Sequence, residues 1–168
     1  MTPLSEINGC APQRFVELLG GVFEHGAWVA EAAAAARPFA SLDALHAAMV
    51  AVVTGAPRER RLAFLRGHPE LAGKAFRAGA VTPESAGEQT GADLNRLTPE
   101  EAAAFDALNQ TYRERFGFPF ILCMRRNTKA SALAAFRARI DADPEAEEAT
   151  ALSEIAAITR FRLEAVVG

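Results

Sequence analysis

The sequence predicts an all-α fold, a single domain spanning 1–168 and built as a bundle of about eight or nine helices. Apolar residues recur at intervals of three and four along most of the chain. Runs of β-branched residues are nearly absent. Val50-Ala-Val-Val53 is the exception, and it closes the periodic segment from Leu42 to Thr54. Helix start and stop signals also punctuate the chain in the right places. At 168 residues the chain suffices for one domain with a sizeable core and is too short for two.

The elements follow in order. The N-terminal third reads as helices near 11–23, 26–35 and 41–54, then 57–66 after the Gly55-Ala-Pro57 stop. The stretch 67–97 is rich in Gly, Pro, Thr and Glu and reads as mostly irregular, with a short helix opening at Thr82-Pro83. Thr98-Pro99-Glu100-Glu101 is a capping box with proline at the first helical position. The helix it starts puts Phe105, Leu108, Tyr112 and Phe116 on one face and stops at Gly117. Leu133, Phe136 and Ile140 mark another helix, closed before Pro144. The last helix, from about Glu147 to Val167, carries Leu152, Ile155, Ile158 and Val166 as its apolar stripe.

Composition narrows the function. Half the residues are hydrophobic, and the net charge is -3. No basic stripe suggests nucleic acid. No apolar run suits a bilayer, and the start lacks the basic and apolar regions of a secretory leader. Cys10 and Cys123 form no CxxC pair, and His25, His46 and His68 lie far apart, so no metal-ligand spacing is present. These features place the chain in a reducing, cytoplasmic setting.

Four features could carry chemistry. Pro69 disfavours the helical region for His68 and fixes that histidine in extended backbone, where a pKa near neutrality suits acid/base work. A surface or capping histidine is the plainer alternative. Ser85, Glu88 and Gln89 stand at i, i+3 and i+4 on one helical face. Such a face could bind a polar heterocycle, or simply be solvated. Phe118-Pro119-Phe120-Ile121-Leu122 cannot continue a helix and reads as a buried extended strip, either an apolar plug or a pocket wall with free backbone groups. Arg162 shares the stripe of the last helix, where a charge needs a partner, either a carboxylate of the chain or a bound anion. Cys123 reads as core, and Arg58, Arg60 and Arg61 as a solvated face. His25 and His46 sit in helical patterns.

Taken in order, GHPELAG (67–73), TPESAGEQTGADL (82–94), LNQTYRERFGFPFILCMR (108–125) and LSEIAAITRFRLEAVV (152–167) resemble the OHCU decarboxylases. The stretch Phe15 to Phe39 is similar to that family's N-terminal helices. The resemblance implies decarboxylation of 2-oxo-4-hydroxy-4-carboxy-5-ureidoimidazoline (OHCU) to S-allantoin without metal or cofactor, in a homodimer. It implies catalysis by His68 and Glu88. It implies substrate binding by Pro69, Ser85, Gln89, Phe118, Pro119, Phe120, the Ile121–Leu122 backbone and Arg162. Glu70 departs mildly from the Asp common after His-Pro. A non-catalytic helical interaction domain, or an enzyme acting on a related ureido compound, would share the same scaffold.

Overall fold

A computed structural model describes residues Met1–Gly168 and is all-α. Its helices are α1 (Leu4–Gly9), α2 (Pro12–Leu19), α3 (Ala27–Ala33), α4 (Leu42–Thr54), α5 (Arg58–Arg66), α6 (Lys74–Arg77), α7 (Pro83–Gly91), α8 (Pro99–Phe116), α9 (Lys129–Arg139) and α10 (Pro144–Val166). Two 3-10 turns, Ala34–Ala36 and Met124–Arg126, complete the set. The only extended pairing is an isolated parallel bridge between Thr2 and Val167.

The chain gathers into two compact units. The first holds Met1–Phe64 and Thr159–Gly168, the second Leu65–Ile158. In the first, α3 packs against α2 and α4, burying Phe15, Leu19, Val29, Leu45 and Met49. His46 on α4 shares a 3.0 Å hydrogen bond with Thr159. His25 falls outside any helix, exposed in the turn before α3 with φ of 49°. In the second unit, α8 packs against α9 and buries Phe105, Tyr112 and Phe136.

Caps explain most boundaries. Thr98 and Glu101 form the reciprocal capping box of α8, and Gly117 closes that helix in the left-handed region at φ 76°. Thr128 and Ser131 do the same at the start of α9. Helix α2 stops at Leu19, earlier than its apolar pattern suggests, because Gly20 and Gly21 follow. Helix α10 starts at Pro144, three residues before Glu147. Asp143 Oδ1 accepts from the amides of Glu145 and Ala146 at 3.0 and 3.2 Å, and Pro144 occupies the first turn.

The buried line of α10 also differs from the predicted stripe. It runs through Glu147, Ala151, Ile155, Thr159 and Leu163, while Leu152, Ile158 and Val166 are half-buried. Small and polar residues occupy several inward positions, so hydropathy alone placed the stripe about one residue to the side.

Candidate active site

Helix α7 is short and mostly polar, yet one of its faces is buried. Thr82 caps it, accepting from the Ser85 amide at 3.4 Å. Ser85 and Gln89 are 5% and 4% exposed, and Glu88 between them is half-buried. The i, i+4 spacing puts both buried polar groups on one side. Buried polar groups persist only with hydrogen-bond partners.

Gln89 has one such partner. Its Oε1 accepts from the Ala72 amide at 2.7 Å. Ala72 adopts φ of 50°, a left-handed conformation unusual for alanine. Asn109 Nδ2 donates to the neighbouring Leu71 carbonyl at 2.9 Å. A Cβ at Gly73 would lie 2.7 Å from Glu70 Cβ, so only glycine fits there. Gln89 and Asn109 thus pin the tight turn that follows His68 and Pro69. His68 itself is half-buried, and its amide donates to the Leu65 carbonyl at 3.2 Å. The side-chain oxygen of Gln89 is therefore committed to shaping the turn.

The strip behaves as its composition demands. All residues from Phe118 to Met124 are buried, and Pro119–Cys123 forms no helix. Its start is tied by Arg66 Nε to the Gly117 carbonyl at 2.9 Å. Its end is tied by the Cys123 amide to Glu154 Oε2 at 2.8 Å. In the middle, Phe120 stacks on Phe136 with centroids 3.9 Å apart and rings 9° from parallel. Arg139 lies over the other side of the system, its guanidinium 4.4 Å from the Phe120 centroid, and Nη1 donates to the Ile121 carbonyl at 2.9 Å. The Met124–Arg126 turn that follows packs on α7. The second unit thus carries His68 and Pro69, the Ser85–Gln89 face and the Phe118–Leu122 strip.

Arg162 belongs to the first unit. Its side chain is 9% exposed and pairs with Glu24, itself 2% exposed, at 3.0 Å. The charge on an inward face therefore has its carboxylate partner within the chain.

Cys123 is core: burial raises its thiol pKa, which disfavours the reactive thiolate. No group of three or more His, Cys, Asp or Glu side chains could hold a metal ion. A separate open groove of about 510 Å³ is lined by Phe76, Arg77, Thr90, Leu94 and Asn95, and contains none of the residues named above.

Several contributors escaped the sequence reading. Glu147 is buried under the Tyr112 hydroxyl, which donates to it, and Arg139 pairs with the same carboxylate at 2.5 Å. Both charges carried a signal. Glu147 lies four residues before Ala151 on the buried line of α10, and Arg139 seven after buried Ala132 on α9. Asn109 likewise falls between Phe105 and Tyr112 on the inward face of α8.

Comparison with known proteins bears on what these parts serve. Residues 8–164 match the family described as OHCU decarboxylase. A Haloferax volcanii protein named 2-oxo-4-hydroxy-4-carboxy-5-ureidoimidazoline decarboxylase is 39% identical over 95% of this chain and 93% of its own. An Amia calva protein of the same name is 37% identical over 98% and 94%. The uric acid degradation bifunctional protein of Bacillus subtilis is 39% identical, and the chain spans 33% of it. The crystal structure of an (S)-allantoin synthase aligns with a TM-score of 0.79 at 30% identity, over all of this chain and 54% of that one. The matched span takes in the His68 turn, the α7 face and the buried strip and covers nearly the whole chain, and on that ground the chain belongs to the OHCU decarboxylase family.

Proposed function

We propose that this protein is a carboxy-lyase that converts OHCU to S-allantoin and CO2 in urate breakdown, without metal or cofactor. The observation that carries the reading is the family match over residues 8–164, shared with full-length relatives named for that decarboxylation.

The substrate contains its own electron sink. The carboxyl-bearing ring carbon adjoins a C=N bond of the imidazoline. Cleavage of the carboxylate bond releases CO2 and passes the electron pair into that C=N. The ring nitrogen of that C=N takes up a proton as the pair arrives, a second proton adds to the ring carbon bearing the ureido group, and the neighbouring hydroxyl gives up its proton to become the carbonyl of allantoin. The protein's tasks are to hold the ring, keep water from the carboxylate and deliver the proton to one face.

His68 is the proton-transfer group, assisted by Glu88. Its backbone is set by Pro69 and by the pinned turn through Ala72. Ser85 and Gln89 meet the polar edge of the ureido-imidazoline. Phe118, Pro119 and Phe120 wall the ring and exclude water, which strengthens the polar contacts. The Ile121 and Leu122 backbone supplies further donors. For Arg162 the resemblance implies an anchor for a carbonyl or the developing negative charge. The reading extends to a homodimer in the cytoplasm, and sedimentation of the purified protein reads its oligomeric state directly.

The test is the decay of OHCU generated in place from urate by urate oxidase and the hydrolase that follows. Catalytic amounts of this protein, free of added metal, are expected to speed the absorbance decay far beyond the blank. A decay equal to the blank contradicts the assignment, and a panel of related ureido acids then identifies the substrate.

A further inference from the structure

The buried strip contains backbone donors without partners. The amides of Phe120, Ile121 and Leu122 make no hydrogen bond within the protein, although these residues are 1%, 4% and 8% exposed. Buried amides are nearly always paired, so an orphan row of them asks for a ligand. What such donors can bind depends on where they point.

The direction of one of them is fixed by a group outside the strip. The peptide bond between Ile121 and Leu122 is trans, since the only cis bond is Arg37–Pro38. In a trans peptide the carbonyl and the following N–H lie in one plane and point opposite ways. Arg139 Nη1 grips the Ile121 carbonyl at 2.9 Å. The Leu122 N–H therefore points away from Arg139.

Arg139 is itself rigid. Nε and Nη2 both donate to Glu147 Oε1, at 2.8 and 2.5 Å. The Tyr112 hydroxyl donates to the same oxygen. The guanidinium plane also lies against Phe120, whose far partners Phe136 and Tyr112 are core residues. A planar fork with several donors can satisfy a carboxylate and a carbonyl together, which a lysine ammonium on a shorter stem does poorly.

We propose that Arg139 is a positioning residue: by holding the Ile121 carbonyl it aims the Leu122 amide at a carbonyl or carboxylate oxygen of the bound substrate. This rests on the reading of the strip as a substrate-binding wall, given above. Arg139 touches no reacting atom and acts through one peptide plane.

The experiment compares wild type, Arg139→Lys and, as a control for stability alone, Thr98→Ala at the distant cap of α8. Steady-state kinetics with OHCU and amide-resolved NMR of uniformly labelled protein are read together. Arg139→Lys is expected to stay folded, to shift the Leu122 amide resonance, and to raise KM about tenfold, the loss of one hydrogen bond, with kcat less affected. Thr98→Ala is expected to melt earlier with wild-type KM. A wild-type KM and an unmoved Leu122 amide in Arg139→Lys overturn the proposal. So does a KM change that Thr98→Ala reproduces. If Arg139→Lys does not fold, titration of the wild type with S-allantoin decides: the Leu122 amide must move, and a silent Leu122 overturns the idea. An inactive wild type removes the function reading, and the Leu122 resonance in Arg139→Lys then judges the positioning claim alone.

Discussion

His68 owes its place to backbone chemistry. Pro69 bars it from the helical region, and the turn beyond it is locked by Gln89 on Ala72 and Asn109 on Leu71. Deleting the imidazole should therefore leave the fold intact. His68→Ala is expected to lose about 10²–10⁴-fold in turnover while remaining folded. Near-wild-type turnover in that folded variant would remove His68 from the mechanism. Tyr112 is a contrasting case, a structural hydroxyl: burial and the Glu147 carboxylate beside it push its phenol pKa up, so it remains a donor. Tyr112→Phe is expected to cost about 1.5–3 kcal/mol of stability, the usual worth of a buried bond to a charged group, as read from denaturant unfolding. An unchanged midpoint would show that Glu147 finds another donor. The sequence announced His68 because its proline is adjacent. It left the roles of Arg139 and Glu147 unread, because an inward-facing charge signals only that some partner exists, and Ile121 and Tyr112, which complete their network, lie 18 and 35 residues away.

Helix ends were the most legible elements, since a cap is a local device. The α8 box was readable from Thr98 and Glu101 alone. It also carries a pH dependence. The hydrogen bond from Lys129, then the Thr98 amide, hold the Glu101 carboxyl below its ordinary pKa of 4.5. A carboxyl whose folded-state pKa is depressed stabilises the fold above its unfolded pKa. That contribution is lost as pH falls through the lower, folded-state value. Glu101→Gln is therefore expected to flatten the acid side of the stability curve, below pH 4.5, relative to wild type. Identical slopes would mean that the box is open in solution. The start of α10 escaped because Asp143-Pro144 is itself a cap and first-turn pair, hidden behind the apolar residues that begin later. Helix α7 was legible as a helix from Thr82-Pro83, but its buried polar face was ambiguous. The contact from Gln89 to the His68 turn shows one thing that face does.

For the whole molecule, periodicity and composition were enough for the all-α class, because each amphipathic helix declares its inward face within a few turns. Two short helices, α1 and α6, were too brief to show a period. The division into two units was not legible, since it follows contacts between residues far apart in sequence. Glu24, which pairs with Arg162 across 138 positions, was hidden for the same reason. The reaction itself came from the ordered motifs and not from any physical pattern. Its central claim is stereochemical as well as kinetic: one proton, delivered to one face of a planar intermediate. The most direct measurement is circular dichroism of allantoin formed from OHCU generated in place, with and without this protein. The account predicts a rapid rise of the S-allantoin signal that the blank lacks. Slow formation of racemic allantoin, equal to the blank, would contradict it.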